Sequence, residues 1–370
     1  MTSRSNSTRN GTERFAELDV ARSIALLGII VLNYHGYLNR ASALGSAQSN
    51  WFLRLMDPWN GILVPSPVIF VLVAGIGCGL LTLPAVERGD KEMISATRWT
   101  LIRRGTFLFT IGTMFEWVWR GTILPYYGIY FILGAAIFDL KPKRIAAIAI
   151  ACTALAASLA LWRYFRDVGG HSTGWLQPFE PNTPRNLLLR IFVDYTHPVF
   201  PWFAFFCAGL IIGKSYLAFT AQRLRIIGYG VALLALVYGI SAIALHTTEG
   251  AWETVLSTDP FTRGVLATLG TCTSSIVIVA IISLVVERTT SSSIVEFLQR
   301  SGQITLTLYL LHGFIFNAVV NWWGWVTATG FNTALVFSLV VWVLLLAFGA
   351  WWQRFIGKGP VEIVYRKFGN

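Results

Sequence analysis

The segment RFAELDVARSIALLGIIVLNYH, residues 14–35, decides the fold class of this chain. Its apolar stretch predicts a membrane-spanning helix that starts in a charged segment and ends on polar side chains. Asp19 and Arg22 are three residues apart and can pair on one helix face. Arg22 and Asn33 are eleven residues apart, which places them on that face with a rise of about 16 Å. One face of the helix, called here a polar stripe, therefore bears polar side chains from its charged start to the bilayer midplane or beyond.

This polar stripe has two interpretations. A polar group inside a membrane is costly unless it is paired, which makes it a candidate for function. In the alternative interpretation, Asp19 and Arg22 form an interfacial ion pair, and the Asn33 amide only bonds a neighbouring helix. The residues of this helix alone do not separate the two.

The rest of the chain is as apolar as this segment. Of its 370 residues, 55% are hydrophobic and 13% are charged, with a mean hydropathy of +0.60, whereas a soluble domain carries about 25% charged residues. A spanning helix needs about 20 mainly apolar residues. The sequence therefore predicts an all-α, polytopic transmembrane helix bundle of about 10 spans. These spans begin near Ala21, Pro65, Arg104, Thr122, Arg144, Tyr195, Ile226, Arg263, Gln303 and Asn332.

The basic residues predict the orientation of the bundle. If the N-terminus is cytoplasmic, most of the 29 Lys and Arg residues fall on the cytoplasmic side, as the positive-inside rule requires. We therefore expect a multi-pass protein of the cell (cytoplasmic) membrane, with a cytoplasmic tail (1–20), a transmembrane domain (21–355) and a second cytoplasmic tail (356–370). The net charge of +11 faces membrane lipids or an anionic cofactor. Because it is spread over short segments, it argues against nucleic acid as a partner.

The cysteines and the glycines of the second span indicate packing. Each cysteine lies in an apolar run without metal-ligand spacing, so we expect buried packing residues and no metal site. These cysteines are Cys78, Cys152, Cys207 and Cys272. Gly75, Gly77 and Gly79 permit close helix contact, either within the chain or in a homodimer.

A second polar stripe lies in the ninth span. Thr305, Tyr309 and His312 follow the i, i+4, i+7 spacing of one helix face. A histidine can take or give a proton near neutral pH, so His312 is a candidate general base. The alternative is a single histidine that is hydrogen-bonded inside a helix bundle.

Two further motifs carry polar residues near the ends of spans. His197-Pro-Val-Phe-Pro-Trp202 opens the sixth span, and its prolines predict a broken or sharply started helix, which could bind an anion or only shape the entry of the chain. Glu116 and Arg120 are four residues apart, so we expect a mutual ion pair. Two loops, 164–194 and 246–260, hold tryptophans that either lie on the membrane surface or cap a cavity.

Five motifs in chain order resemble two related groups, the heparan-α-glucosaminide N-acetyltransferase family and the YeiB-like bacterial membrane proteins. The first motif is the pattern of Arg14, Asp19, Arg22, Gly28 and Asn33 in the first span. The others are Gly121–Tyr126, His197–Trp202 with Gly209 and Gly213, Gly302–His312, and Gly359–Glu362. The resemblance covers nearly the whole chain, although no single motif is highly specific.

The resemblance implies a transmembrane acyltransferase. Acyl-CoA, with acetyl-CoA as the expected donor, would supply the acyl group from the cytoplasm to a glycan or another small-molecule acceptor with a hydroxyl or amine. The cofactor-binding candidates are Asp19 and five arginines that suit CoA phosphates at the charged start of the first helix: Arg14, Arg22, Arg98, Arg103 and Arg104. The substrate-binding candidates are His197, Trp202 and Glu116.

For the chemistry we expect a histidine base and polar groups that stabilise the oxyanion. The candidates are His312 or His35 as base, and Asn33 and Tyr309 as stabilisers. In the N-acetyltransferase, the catalytic histidine lies well beyond the asparagine, whereas His35 is two residues past Asn33 and points about 200° away if the helix continues. Either the helix unwinds at residues 34–36, or His35 is not the equivalent. A transporter or a lipid- or glycan-handling protein with a polar path is the competing hypothesis.

Overall fold

The computed structural model describes residues 15–38, 51–57, 61–178, 180–247, 250–289, 291–327 and 330–369, so the candidate Arg14 lies outside the described residues. Within these ranges the regular secondary structure is entirely helical. The helices are α1 (Ala16–Leu38), α2 (Trp51–Leu55), α3 (Ser66–Arg88), α4 (Lys91–Phe115), α5 (Leu124–Ile137), α6 (Pro142–Val168), α7 (Pro184–Phe192), α8 (Val199–Lys214), α9 (Tyr216–Ala221), α10 (Arg223–Thr247), α11 (Ala251–Leu256), α12 (Val265–Arg288), α13 (Ser293–Gly302), α14 (Thr305–Phe316), α15 (Phe331–Phe355) and α16 (Pro360–Gly369).

Each of the ten predicted spans contains one of these helices. In the described part of the chain, five helices are long and apolar enough to cross a membrane: α3, α6, α10, α12 and α15. A sixth span results if α13 and α14 with its π-helical extension count as one segment, which is bent by 78°. Helices α1 and α4 carry charged residues, and α5 and α8 are short. The all-helical, multi-pass architecture is therefore confirmed, and the number of ten spans stays a prediction.

Glycines bring α3 and α8 into backbone contact at the core of the bundle. A Cβ atom on Gly75 would lie 2.3 Å from the Phe206 carbonyl oxygen, and one on Gly209 would lie 2.1 Å from that of Leu72. Only glycine fits at such distances, because a side chain would force the helices apart. The close contact predicted for the second span is thus made within the chain.

Helix α1 is held in the centre by contacts along its length. Its Ser23 hydroxyl donates to the Leu298 carbonyl at 2.7 Å, and Trp342 of α15 donates to the Ser23 carbonyl at 3.0 Å. Gly302, at the end of α13, packs so closely that an added Cβ would lie 1.9 Å from the Asp19 carbonyl oxygen. These contacts hold the start of α1 against α13 and α15.

Hydrogen bonds made by the segments that connect the helices identify the two ends of the bundle. At the end where α1 begins, called here the Arg22 end, Lys214 donates to the Phe138 carbonyl at 2.6 Å, and Tyr216 donates to Glu17 at 2.7 Å. At the opposite end, Tyr37 donates to the Arg120 carbonyl at 2.5 Å. This opposite end contains a large cavity.

Candidate active site

The two predicted polar stripes meet inside the bundle. The Nδ2 atom of Asn33 lies 3.0 Å from Nε2 of His312, whose side chain is fully buried. The other ring nitrogen, Nδ1, contacts the backbone carbonyl oxygen of Tyr309. A carbonyl oxygen can only accept a hydrogen bond, so Nδ1 carries the proton and Nε2 accepts from the Asn33 amide. Both nitrogens of the His312 ring are therefore engaged by the protein.

Aromatic residues enclose this pair. Tyr34 donates to the His312 backbone carbonyl at 2.8 Å, and the Trp119 ring centroid lies 5.3 Å from that of the imidazole. The Tyr309 hydroxyl lies 3.1 Å from the Thr122 hydroxyl and accepts the Ile123 amide at 3.1 Å. Tyr309 is thereby anchored to the segment that starts α5, and its hydroxyl is committed to that segment.

A cavity of about 820 Å³ lies beside the pair, at the end opposite Arg22. Asn33 lines its wall, whereas His312 lies behind Asn33. The Asn33 amide therefore joins the cavity to the buried histidine. Polar and aromatic residues from distant segments complete the wall. They include Tyr37, Arg120, Arg163, Asp194, Tyr195, His197, Trp202, Phe261 and Arg263.

The predicted residues His197 and Trp202 also line this cavity. Their rings pack edge to face, with centroids 4.5 Å apart, and the His197 carbonyl accepts the Tyr130 hydroxyl at 2.5 Å. The backbone leaves helical geometry at Phe200 inside α8, so of the two forms predicted for this motif, the broken helix is confirmed. The Nδ1 atom of His197 is buried and has no hydrogen-bond partner among the described residues.

The sequence analysis missed a charged cluster in the cavity wall. Asp194 is 4% exposed and accepts hydrogen bonds from both Arg163 and Arg263. Arg263 also donates to the Tyr195 carbonyl. Arg163 lies in α6, whereas Asp194 and Arg263 lie in two separate connections. The three charges share no periodicity, so only their isolated positions at the ends of apolar runs could have drawn attention to them. The cluster leaves one net positive charge beside the cavity.

The predicted substrate-binding residue Glu116 is not among the residues that line the cavity. In the structure the partner of Glu116 is Arg190, not the predicted Arg120. The buried Arg190 donates to the two carboxylate oxygens of Glu116 at 3.0 and 3.2 Å. Helix α4 ends at Phe115, so the helical spacing to Arg120 is lost, and Arg120 lies 3.2 Å from Glu180. Burial raises the pKa of the Glu116 carboxyl, and Arg190 opposes this effect.

His35 lies away from the pair. Helix α1 continues without a break to Leu38, so the alternative that it unwinds at residues 34–36 is wrong. The His35 ring packs edge to face on Phe331, with centroids 5.0 Å apart. The structure therefore brings His312, not His35, to Asn33.

The cofactor candidates gather at the Arg22 end. The predicted pairing of Asp19 and Arg22 is confirmed at 2.8 Å. Arg98 lies 3.0 Å from Asp139, Arg103 is exposed, and the Arg104 guanidinium lies 5.4 Å from the centroid of the Tyr365 ring of α16. The Nε atom of Arg104 is buried without a partner among the described residues, so this end of the bundle offers an unused cationic donor.

The last motif of the chain caps the helix that carries His312. Glu362 accepts the Thr307 amide at 3.1 Å and the Thr307 hydroxyl at 2.5 Å. The Thr307 amide belongs to the first turn of α14, where backbone donors lack helical partners. A Cβ atom on Gly359 would lie 2.1 Å from the Glu362 carboxylate, which accounts for glycine at that position.

Two known families match the chain, and the matched ranges overlap at residues 213–243. Residues 14–243, more than half of the chain, match the catalytic domain of heparan-alpha-glucosaminide N-acetyltransferase. Residues 213–369 match a family described as a protein of unknown function, DUF418. No curated protein matches the chain. The first match contains Asn33, His197 and the arginines of the Arg22 end, and the second contains His312 and Glu362.

Proposed function

Because the chain belongs to the heparan-alpha-glucosaminide N-acetyltransferase catalytic family, we propose that it is an integral membrane acyltransferase. It transfers an acyl group, acetyl in the simplest case, from acyl-CoA to a sugar or to another acceptor with a hydroxyl or amine. The Arg22 end is cytoplasmic in this proposal, and the cavity opens toward the other face of the membrane.

The observation that carries the proposal is the position of Asn33 between the cavity and His312. One amide hydrogen of Asn33 is held by His312, so the second hydrogen is available to a group in the cavity. An oriented amide donor stabilises the negative charge that develops on a carbonyl oxygen during acyl transfer. In this arrangement His312 is a positioning residue, which fixes the direction of the Asn33 amide.

The reaction balances without a redox partner. The acceptor oxygen or nitrogen attacks the thioester carbonyl carbon, the new C–O or C–N bond forms, and the C–S bond breaks. The acceptor proton passes to a base, and the CoA thiolate takes a proton from water. The aromatic and polar residues of the cavity wall, such as Trp202 and Tyr195, suit the apolar and polar faces of a sugar.

The donor is proposed to bind at the Arg22 end. Arg22 and Arg104 would hold its phosphates, and the unpartnered Nε atom of Arg104 supports this because it lacks an acceptor. Arg103 is exposed at the same end, whereas Arg98 is engaged by Asp139. Asp19 orients Arg22 in this proposal.

A path for the acyl arm would run beside Tyr127. This residue lies near both Arg22 and Tyr309, and its buried hydroxyl has no partner among the described residues. Arg22 and Asn33 are about 16 Å apart along α1, so a donor bound at the arginines has to extend its arm past this level. The unpartnered phenol supports a carbonyl group passing there.

The test is incubation of membranes that contain the full chain with radiolabelled acetyl-CoA, followed by a search for a labelled product. Asn33→Ala should lower transfer by about 100- to 1000-fold, the usual effect of removing an oxyanion donor, and His312→Ala should also lower it. Asn321→Ala, at an exposed asparagine in the π-helical segment Asn317–Trp322 after α14, is the matched control. Full activity in both test variants contradicts the assignment, and substrate uptake into vesicles without labelled product indicates a transporter instead.

A further inference from the structure

The two histidines near the cavity differ in what their rings can do. His312 is fully buried, and its two nitrogens are engaged by Asn33 and by the Tyr309 carbonyl. An acceptor in the cavity can reach His312 only if Asn33 first moves away. His197 lines the cavity directly, and its Nδ1 atom has no partner among the described residues.

Packing, and not hydrogen bonding, orients the His197 ring. The ring lies 4.5 Å from Trp202 and 5.8 Å from Tyr126, measured between centroids. The Tyr130 hydroxyl fixes the backbone by donating to the His197 carbonyl at 2.5 Å. The ring is therefore held in place with Nδ1 buried, and Nε2 is the nitrogen that can face a ligand in the cavity, as a proton acceptor requires.

The other histidines of the chain are not placed for this role. His35 packs on Phe331, and His171 and His246 are exposed at helix ends. Of the five histidines, all of them in the described ranges, His197 alone is among the residues that line the cavity. Asn33 lines the same cavity, so an acceptor bound there can face an amide donor and an imidazole together.

We infer that His197 is the general base that takes the proton from the acceptor. The inference rests on the proposed acyl transfer. As the acceptor oxygen or nitrogen bonds to the thioester carbon, its proton moves to a ring nitrogen of His197, while the C–S bond breaks and CoA leaves as a thiolate. The thiolate is protonated by water at the Arg22 end, and the imidazolium returns its proton to water in the cavity. The acceptor class is a neutral amine or a hydroxyl.

The experiment uses the purified full chain with radiolabelled acetyl-CoA, with glucosamine as the amine probe and N-acetylglucosamine as the hydroxyl probe. His197→Ala should lower turnover at least 100-fold, within the range for loss of a general base. Added imidazole should restore part of the activity, because the vacated ring position adjoins the cavity. The restored rate should rise with the pKa of substituted imidazoles.

Three further variants separate a base from a structural residue. His197→Gln keeps a hydrogen-bonding side chain of similar size, so it should fold as the unaltered protein does and show the same loss. His312→Ala should lose activity without rescue by imidazole, because its site is closed to the cavity. His246→Ala, at an exposed histidine, should keep full activity.

The outcomes distinguish this inference from the proposed function. If the unaltered protein transfers label but His197→Gln keeps activity within threefold, the inference is wrong and the proposed function stands. A folded His197→Ala variant that imidazole does not rescue also overturns it, since a purely structural role gives that result. If the unaltered protein transfers no label to either probe, the proposed function fails for these acceptors, and the inference fails with it.

Discussion

Two neighbouring tyrosines of α5 differ in whether their hydroxyl groups have a hydrogen-bond partner. Tyr130 donates to the His197 carbonyl at 2.5 Å, whereas the buried hydroxyl of Tyr127, one turn earlier, has no acceptor among the described residues. An unsatisfied buried polar group costs about 1–3 kcal/mol. This cost is accounted for if the Tyr127 hydroxyl donates to the acyl carbonyl during the proposed reaction.

Replacing these two tyrosines one at a time by phenylalanine should therefore change the stability of the protein in opposite directions. Tyr127→Phe removes an unsatisfied hydroxyl and should raise the free energy of unfolding by about 1 kcal/mol, while acyl transfer falls. Tyr130→Phe leaves the His197 carbonyl without its donor and should lower stability by about 1 kcal/mol. Thermal unfolding in detergent and the transfer assay measure the two effects. Unchanged transfer in Tyr127→Phe would remove this residue from the proposed path.

At the scale of helices, the start of α14 depends on the last helix of the chain. Glu362 binds both the amide and the hydroxyl of Thr307, five residues before His312. This contact joins the final motif of the sequence to the helix that positions Asn33. A motif that looks like a tail in the sequence is thus part of the framework of the site.

The cap can be measured with a double-mutant cycle. Glu362→Gln and Thr307→Val should each lower the free energy of unfolding by about 1–3 kcal/mol, since each weakens the charge-assisted hydrogen bonds between the half-buried Glu362 and the buried Thr307. The double variant should cost less than the sum, with a coupling of about 1 kcal/mol. Glu253→Gln, at an exposed glutamate of α11, controls for loss of a charge. Additive effects would show that the two side chains do not interact.

The sequence predicted helices better than it predicted contacts between them. The ten apolar segments are local features, and each contains a helix in the structure. The faces that carry Asn33 and His312 followed from helical periodicity, but their meeting at 3.0 Å depends on how α1 and α14 pack. The Asp194 cluster was missed because its members are far apart in the chain, and no periodic pattern relates them.

The Asp194 cluster also joins elements that are otherwise separate. Arg163 comes from α6, and Arg263 precedes α12. Asp194→Asn would leave two arginines in the cavity wall without their shared anion, so it should lower stability by about 3–5 kcal/mol. Glu180→Gln, at the exposed pair with Arg120, should change it by less than about 1 kcal/mol. Similar effects of the two substitutions in thermal unfolding would contradict the buried role of Asp194.

At the scale of the whole molecule, the contacts between connections fall at two ends of the bundle. Glu17, next to the start of α1, contacts Tyr216, and α16 contacts Arg104 and Thr307. The two ends of the described chain therefore lie at the Arg22 end. Both ends lie on the same side of the membrane if the chain crosses it an even number of times, and the ten predicted crossings meet this condition.

Helices α4 and α5 are two of the predicted spans that do not meet the length and hydropathy of a typical span. Three exposed positions bracket them: Glu92 in the first turn of α4, Trp117 between α4 and α5, and Lys143 after α5. Cysteines introduced singly there can be labelled with a membrane-impermeant maleimide. Of the four native cysteines, Cys78, Cys152 and Cys207 are buried and Cys272 is half-buried, so the unaltered chain has to set the background.

If both helices cross the membrane with the Arg22 end in the cytoplasm, Trp117→Cys should react in intact cells. Glu92→Cys and Lys143→Cys should react only after permeabilisation, because they lie at the Arg22 end with the retained positive charge. The unaltered chain, tested in parallel, should take up little label. Protection of all three positions in intact cells would mean that α4 and α5 turn back within the membrane, and the reverse pattern would place the cavity on the cytoplasmic side and the arginines outside, where acyl-CoA could not reach them.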